Sequence, residues 1–225
     1  MTRRTLHFVL AVRFVDSQNA PEELKPFQTV FSEILNNVHS VIYNNHIVFI
    51  FNHNQNIIMG NQTMEKVIAT LKESGMYCGI GHRYNNLIHL RKAYTQAIMA
   101  LKLGSKYYPK QHLFFYKDCT MLEAIDVMVN YYDDIITEFC HPSLLYLKSY
   151  DETHNTDYFN TLFAHVRNLN NQQSAALELG IHRNSLSYRL DKIEEMLKIS
   201  TSDIQTCYHL YISFLIMDYY NKSKY

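Results

Sequence analysis

Cysteine is scarce and dispersed: Cys78, Cys119, Cys140 and Cys207 form no Cys-x-x-Cys pair. That spacing suggests neither a zinc site nor a disulfide framework, so a reducing cytoplasm is the expected setting. No stretch approaches the ~20 consecutive apolar residues that span a bilayer, and no membrane partner is expected. The basic opening Met1-Thr2-Arg3-Arg4 leads into Leu6 to Val15, which His7 and Arg13 interrupt and which has no small-residue cleavage site. It reads as a strand, not a signal peptide. An excess of one charge is also lacking, since 21 Lys and Arg balance 21 Asp and Glu. Neutrality counts against a domain-wide nucleic-acid surface, because phosphate neutralisation usually shows as a basic domain. The twelve histidines form no His-Glu-x-x-His or His-x-His pattern, and His39, His46 and His53 fall in strand or loop text. No metal and no cofactor is expected.

What is present can bury a core: 225 residues, 47% of them apolar, suit one large or two modest domains. The first half alternates. Leu6 to Val15 is β-rich, and Pro21 to Asn37 places Leu24, Phe27, Phe31, Ile34 and Leu35 at helical spacing. Ser40 to Tyr43 and Ile47 to Phe51 flank Asn44-Asn45-His46, a hairpin with a turn tolerant of left-handed backbone. Then come a helix over Thr63 to Glu73 ending before Gly75, a strand over Met76 to Ile80, a helix over Asn86 to Leu103 stopped by Gly104, and a strand over Leu113 to Tyr116. The order β-α-β-β-α-β-α-β is the ferredoxin-like split pattern extended by one strand, which predicts a mainly antiparallel sheet with helices on one face. Tyr43, Phe49 and Phe51 read as core or sheet surface, and Tyr107-Tyr108 and Tyr131-Tyr132 as packing.

From about Thr120 the strand text disappears. Residues 121–132, 133–140, 155–169, 171–179, 182–197 and 203–220 read as helices, the last introduced by a Ser202/Gln205 capping box. The shift in composition places a boundary near Asp118, giving an α/β domain over 1–118 and an all-α domain over 119–225, α+β in class.

Within the helical part, Ala175-Ala176-Leu177-Glu178-Leu179-Gly180-Ile181-His182-Arg183-Asn184-Ser185-Leu186-Ser187-Tyr188-Arg189-Leu190 has the length and punctuation of a helix-turn-helix. Two helices meet steeply over a short turn when the contact residue is small and the turn takes positive φ, here Ala176 and Gly180. Leu186, Leu190, Ile193 and Leu197 then share a buried face. Arg183, Asn184, Ser187, Tyr188 and Asp191 turn mainly outward. Arginine can bind guanine bidentately and asparagine adenine, which makes Arg183 and Asn184 the candidate base readers. His182, Ser185 and Tyr188 suit bases or phosphates, while Arg189 and Lys192 suit phosphate. Gln172, Gln173 and Ser174, at the start of the first helix, can brace on the backbone through side chains and N–H groups. Arg183, Arg189 and Lys192 against Asp191 make the second helix locally basic, so modest affinity per subunit and dimeric binding are expected.

Tyr150-Asp151-x-x-His154-x-Thr156, then Asn171, Ala175-Ala176 and Ile181-His182-Arg183-Asn184-Ser185-Leu186-x-Tyr188-Arg189-Leu190-x-Lys192-Ile193-Glu194, resembles the C-terminal helix-turn-helix domain of the PucR/CdaR family of bacterial transcriptional regulators. Ser185 stands where threonine is usual and keeps the hydroxyl. Gly79-Ile80-Gly81 followed by Leu90-Arg91-x-Ala93-Tyr94-x-x-Ala97-x-x-Ala100-Leu101 resembles the later half of the GGDEF-like domain that commonly precedes it. Diguanylate cyclases hold two metal ions with carboxylates from that domain's hairpin and first strand. Here the hairpin reads Tyr43-Asn44-Asn45-His46-Ile47 with no carboxylate, and Asp16 is a lone acid, so no enzymatic activity is expected. The resemblance implies a cytoplasmic regulator of metabolic or transport genes, often an activator, that binds double-stranded DNA as a homodimer with residues 182–197 in the major groove. Relatives usually carry a sensor domain upstream. Effector sensing then lies elsewhere, the chain is truncated, or the small domain has taken over. The rival expectation is a catalytically inactive signalling module that binds a nucleotide or a partner protein. Tyr208, Tyr211, Phe214, Leu215, Tyr219 and Tyr220 on the last helix offer more apolar surface than one core face needs, a candidate dimer surface.

Overall fold

The computed structural model describes residues 7–14, 21–36, 38–52 and 61–223. Asp16 and His53 lie outside the described residues. The chain divides into two compact units, Met1–Glu123 and Ala124–Tyr225.

The first unit runs β1 (His7–Phe14), α1 (Pro21–Leu35), β2 (His39–Tyr43), β3 (His46–Asn52), α2 (Asn61–Glu73), β4 (Met76–Ile80), α3 (Leu90–Tyr107) and β5 (Leu113–Phe115). The strands lie in the order β2-β3-β1-β4-β5. β4 and β5 are parallel and the other neighbours antiparallel, as a hairpin followed by helical crossovers requires. At the hairpin corner Tyr43 pairs with His46, and Asn44 and Asn45 take φ of 47° and 58°. Two consecutive left-handed residues make the turn whose twist matches the flanking strands, and asparagine tolerates that region.

Side chains alternate across the sheet. Phe8, Leu10 and Val12 of β1 join Ile47, Phe49 and Phe51 of β3 and Met76, Cys78 and Ile80 of β4 on one face, under Leu24, Phe31 and Leu35 of α1 and Val67 and Leu71 of α2. Val9, Ala11 and Val48 point the other way, where Ala93 and Ala97 of α3 cover them. The helices therefore lie on both faces, not one. The hydrophobic strand text cannot distinguish a sheet covered once from a sheet covered twice in its centre.

α3 approaches β4 closely because β4 offers no side chain there. A Cβ on Gly79 would stand 1.9 Å from the Ala97 carbonyl oxygen, and one on Gly81 would stand 2.3 Å from that of Ala93. Gly104 does not stop α3, which continues to Tyr107; a Cβ there would stand 2.1 Å from Cγ of Phe114. That glycine makes room for a ring of β5. Tyr107 is buried as expected, whereas Tyr108 and Tyr131 are exposed.

The helices that follow are α4 (Tyr116–Tyr131), α5 (Ile135–Phe139), α6 (Pro142–His154), α7 (Tyr158–Arg167), α8 (Gln172–Leu179), α9 (Arg183–Leu197) and α10 (Ile204–Ser223). The spacing of apolar residues does not predict α6. Its buried apolar residues are Leu144 and Leu147, while Leu145 and Tyr146 face solvent, so no apolar stripe marks it. Pro142 at its first position and the His141 Nδ1 acceptor for the Ser143 N–H start it, and Asn155, at φ 52°, ends it. α10 is capped by Asp203, whose carboxylate accepts the Thr206 N–H at 2.8 Å, and not by Ser202. Its Phe214 and Tyr219 are buried, Phe214 against Phe159 and Phe163 of α7, which removes them from any free surface.

Gly104→Ala tests the reading of α3. Alanine in a helix interior normally stabilises by about 0.5–1 kcal/mol over glycine. Here urea denaturation should show a loss of about 1–3 kcal/mol, the cost of forcing a group into a packed core. A gain in stability would show that Phe114 does not constrain the position.

Candidate nucleic-acid interface

α8 begins at Asn171, whose side-chain oxygen accepts the N–H groups of Gln173 (3.0 Å) and Ser174 (3.1 Å). Those two donors are committed to the cap, so Gln173 and Ser174 have only side chains to offer a ligand there. Ala175 and Ala176 are buried, and both α8 and α9 pack on α7. At the far end the Gly180 N–H donates to Leu177 and the Ile181 N–H to Ala176, with Gly180 left-handed at φ 64°. This pair of bonds closes the helix and turns the chain at once.

α9 begins immediately after that turn. His182 is its cap, Nδ1 accepting the Asn184 N–H at 3.2 Å. Leu186, Leu190 and Ile193 are buried. Arg183, Asn184, Ser185 and Tyr188 are exposed, Ser187 half-buried. The loop Asn155–Tyr158 faces Asn184, Ser185, Tyr188 and Arg189 across an open groove of about 650 Å³.

The basic residues of the motif are not equivalent. Arg189 Nη1 donates to Thr161 Oγ1 of α7 at 3.2 Å, and Thr161 is fully buried. This tether makes Arg189 partly a brace between α7 and α9. Lys192 pairs with Glu195 at 2.9 Å, and that bond and charge hold its ammonium above the usual lysine value. Both groups are exposed, and such pairs contribute little to stability. Arg183 has no ion pair among the described residues.

Two further residues position the site. The Asp151 carboxylate of α6 accepts the Thr156 hydroxyl (2.5 Å) and the N–H groups of Tyr158 (2.9 Å) and Phe159 (2.7 Å), so it caps α7 from another helix. Glu194 Oε1 of α9 accepts both the N–H and the hydroxyl of Thr201, each at 2.6 Å. Thr201 in turn contacts Nε2 of the buried His165 of α7 at 3.4 Å, and its carbonyl accepts Asn170 Nδ2 at 2.6 Å. Asp151 and Glu194 stood in the sequence motif, but their roles depend on contacts between helices that no spacing reveals.

Residues 158–216 match the model of the PucR C-terminal helix-turn-helix domain, and residues 3–103 match a GGDEF-like domain. The chain thus carries a segment similar to the PucR C-terminal helix-turn-helix domain after a GGDEF-like segment. The proline-responsive transcriptional activator PutR of Bacillus subtilis strain 168 is 32% identical over 151 residues, 63% of this chain and 34% of PutR. The DNA-binding transcriptional activator AdeR of the same organism is 24% identical over 153 residues, 67% of this chain and 35% of AdeR. The chain thus spans about a third of the length of these relatives. A crystal structure of a regulator of polyketide synthase expression from Bifidobacterium adolescentis aligns with a TM-score of 0.40 and 14% identity, covering 94% of this chain and 79% of that one.

Burial holds the His165 imidazole below its ordinary value against the opposing pull of Glu194, and burial followed by repulsion from His209 does the same to His141. Below about pH 6.5 the unfolded chain takes up protons that these native imidazoles resist. Thermal stability is therefore full above that pH and falls as the pH drops through it towards the lower native values. Melting followed by circular dichroism between pH 7.5 and 5 should show this loss, and His165→Gln should reduce its slope while His141 and the likewise buried His46 keep the remainder. An unchanged slope in that variant would show that His165 does not titrate as its burial demands.

Proposed function

We propose that this chain is a sequence-specific DNA-binding transcription regulator that places α9 in the major groove. The observation that carries this reading is the exposed first two turns of α9: Arg183 and Asn184 stand free at the helix start beside an open groove, on a helix braced from behind by three buried aliphatic side chains. Side chains at the start of a recognition helix meet base edges, so Arg183 and Asn184 are the readers. Ser185, Ser187 and Tyr188 fill in around them. Arg189, Lys192 and His182 serve backbone contacts, with Gln172, Gln173 and Ser174 of α8 bracing on phosphates.

Both curated relatives are named activators, which supports activation, of metabolic or transport genes, as the role here. Among the described residues no helix is long and apolar enough to cross a membrane, which fits a cytoplasmic protein. The carboxylate-free hairpin supports a non-catalytic first domain, residues 1–118, joined to a DNA-binding domain, residues 119–225. Binding as a homodimer follows from the thin supply of free cations on α9. The surface suited to it combines Tyr208, Ile204 and Leu169, all exposed, around an apolar groove of about 460 Å³.

Selection of genomic fragments by the purified protein tests the reading directly. The recovered sequence should contain two half-sites about one helical turn, or a multiple, apart. Arg183→Ala and Asn184→Ala should each weaken binding by about 1–3 kcal/mol and relax the preferred sequence, whereas Lys192→Ala should weaken all sequences alike. Binding that ignores salt, or no selection above random fragments, would sink the proposal. Light scattering of Tyr208→Asp beside the unaltered chain tests the dimer: the variant should shift to monomer, and a monomeric parent on DNA would refute dimeric binding.

A further inference from the structure

The first unit holds a crevice of about 410 Å³ at the carboxyl ends of β4 and β5. Parallel neighbours send the chain away from the sheet at that end, and the departing segments leave room between them. Phe8 of β1, Met64 of α2, Ile80 of β4 and Phe115 of β5 give it an apolar lining. Its other wall is cationic. The Arg83 guanidinium lies 5.6 Å from the centre of the Phe8 ring, and the Lys117 ammonium lies 5.6 Å from that of Phe115. Neither cation has an ion-pair partner among the described residues. One acid nearby is engaged: Glu123 accepts the Tyr116 hydroxyl, and that bond raises the phenol to about 12, while Asp118 and Glu65, next in sequence to Lys117 and Met64, are exposed.

The walls are anchored. Gly81 N–H donates to the Val9 carbonyl (3.1 Å), and the Gln96 side-chain oxygen accepts the His82 N–H (3.1 Å) and the Tyr84 hydroxyl (2.8 Å). Phe8 is itself stacked on Phe51 with ring centres 4.5 Å apart. The crevice is therefore formed before anything enters it, and its volume lies in the range of small-molecule sites.

We propose that this crevice binds a small organic anion, with its acidic group between Arg83 and Lys117 and an apolar body on the Phe8, Ile80 and Phe115 floor. The rings hold the two cations beside the crevice, and each adds to the attraction a bound anion feels there. An inorganic anion would leave the apolar floor wet, and a neutral molecule would leave both cations unanswered. The site goes beyond the DNA-binding reading and stands without it. It gives this domain something to sense.

The test uses the full chain, isotopically labelled, with benzoate as probe and benzamide and inorganic phosphate as controls at constant ionic strength. Benzoate should give saturable amide shifts at Gly81, His82, Phe115, Tyr116 and Lys117. Benzamide and phosphate should each bind at least about tenfold more weakly, as should benzoate to the Arg83→Gln/Lys117→Gln variant, a difference of about 1.4 kcal/mol. Both substituted side chains are exposed, and unchanged spectra elsewhere would show that the variant remains folded. Equal binding of benzamide, undiminished binding by the variant, or shifts scattered over the surface would overturn the proposal. Phosphate equal to benzoate would show that the floor takes no part, and would overturn the ligand class.

Discussion

Glu194 accepts two hydrogen bonds from one residue, the N–H and hydroxyl of Thr201, and the placement of α9 depends on that pair. The bonds are charge-assisted and partly shielded from water, where such bonds are strongest. Through Thr201 they tie the end of α9 and the start of α10 to His165 on α7 and to Asn170 in the turn before α8. That turn contains two successive left-handed residues, Leu169 at φ 54° and Asn170 at φ 60°. For leucine this conformation costs roughly 1–2 kcal/mol. It persists because the Asn170 N–H bonds to the His165 carbonyl at 3.0 Å and its side chain to that of Thr201 at 2.6 Å. The strain therefore belongs to the same device that fixes α9. Near the middle of α9, Arg189, held to Thr161, adds a direct fastening on α7. A helix fastened at its middle and near its C-terminal end can present Arg183 and Asn184 in a single geometry, which specificity would require.

The first unit separates the requirements of fold from those of chemistry. Its hairpin needs two residues that accept positive φ, and Asn44-Asn45 satisfies the backbone with no carboxylate. The crossing of α3 over β4 needs absent side chains at Gly79 and Gly81 and a small one at Ala97. Neither the glycines nor the asparagines bring a carboxylate to the hairpin. The sheet therefore forms without acids at its hairpin, and its geometry alone says nothing about catalysis.

The sequence made the strands legible because their apolar runs are short and bounded by Gly75, the Asn44-Asn45 turn and polar segments. The helix-turn-helix was legible for a different reason: Ala176, Gly180 and the Leu186, Leu190, Ile193 stripe encode it within some 20 residues, and the family motif covers the same stretch. What escaped depends on contacts distant in sequence. Gly104 looks like a helix stop until Phe114 is seen against it, ten residues on. Helix α6 lacks an apolar stripe, and its role is to bring Asp151 to the start of α7, which becomes meaningful only in three dimensions. Ser202 and Gln205 match a capping box, yet Asp203 takes the cap, since a carboxylate one residue later serves the same N-terminus with a full charge. Arg183, Asn184, Tyr188 and Asp191 face outward as their spacing predicts, whereas Ser187 and Leu197 are half-buried, and only the contact with the buried Thr161 hydroxyl reveals that Arg189 braces α9 on α7.

The charge inventory links these details to assembly. Lys192 is paired with Glu195 and Arg167 with Glu178, and Arg189 leans on α7, so Arg183 is the cation of this surface with no partner of its own among the described residues. Affinity for a polyanion grows with the number of counterions displaced, so a surface with so few free cations gains little from any single approach to DNA. Doubling the surface doubles that gain without changing the chain's neutral balance, and it adds the effective concentration that joins two readers on one duplex. The neutral composition that counted against nucleic-acid binding then agrees with the proposed two-fold assembly, in which weak contacts from each protomer would be multiplied by symmetry.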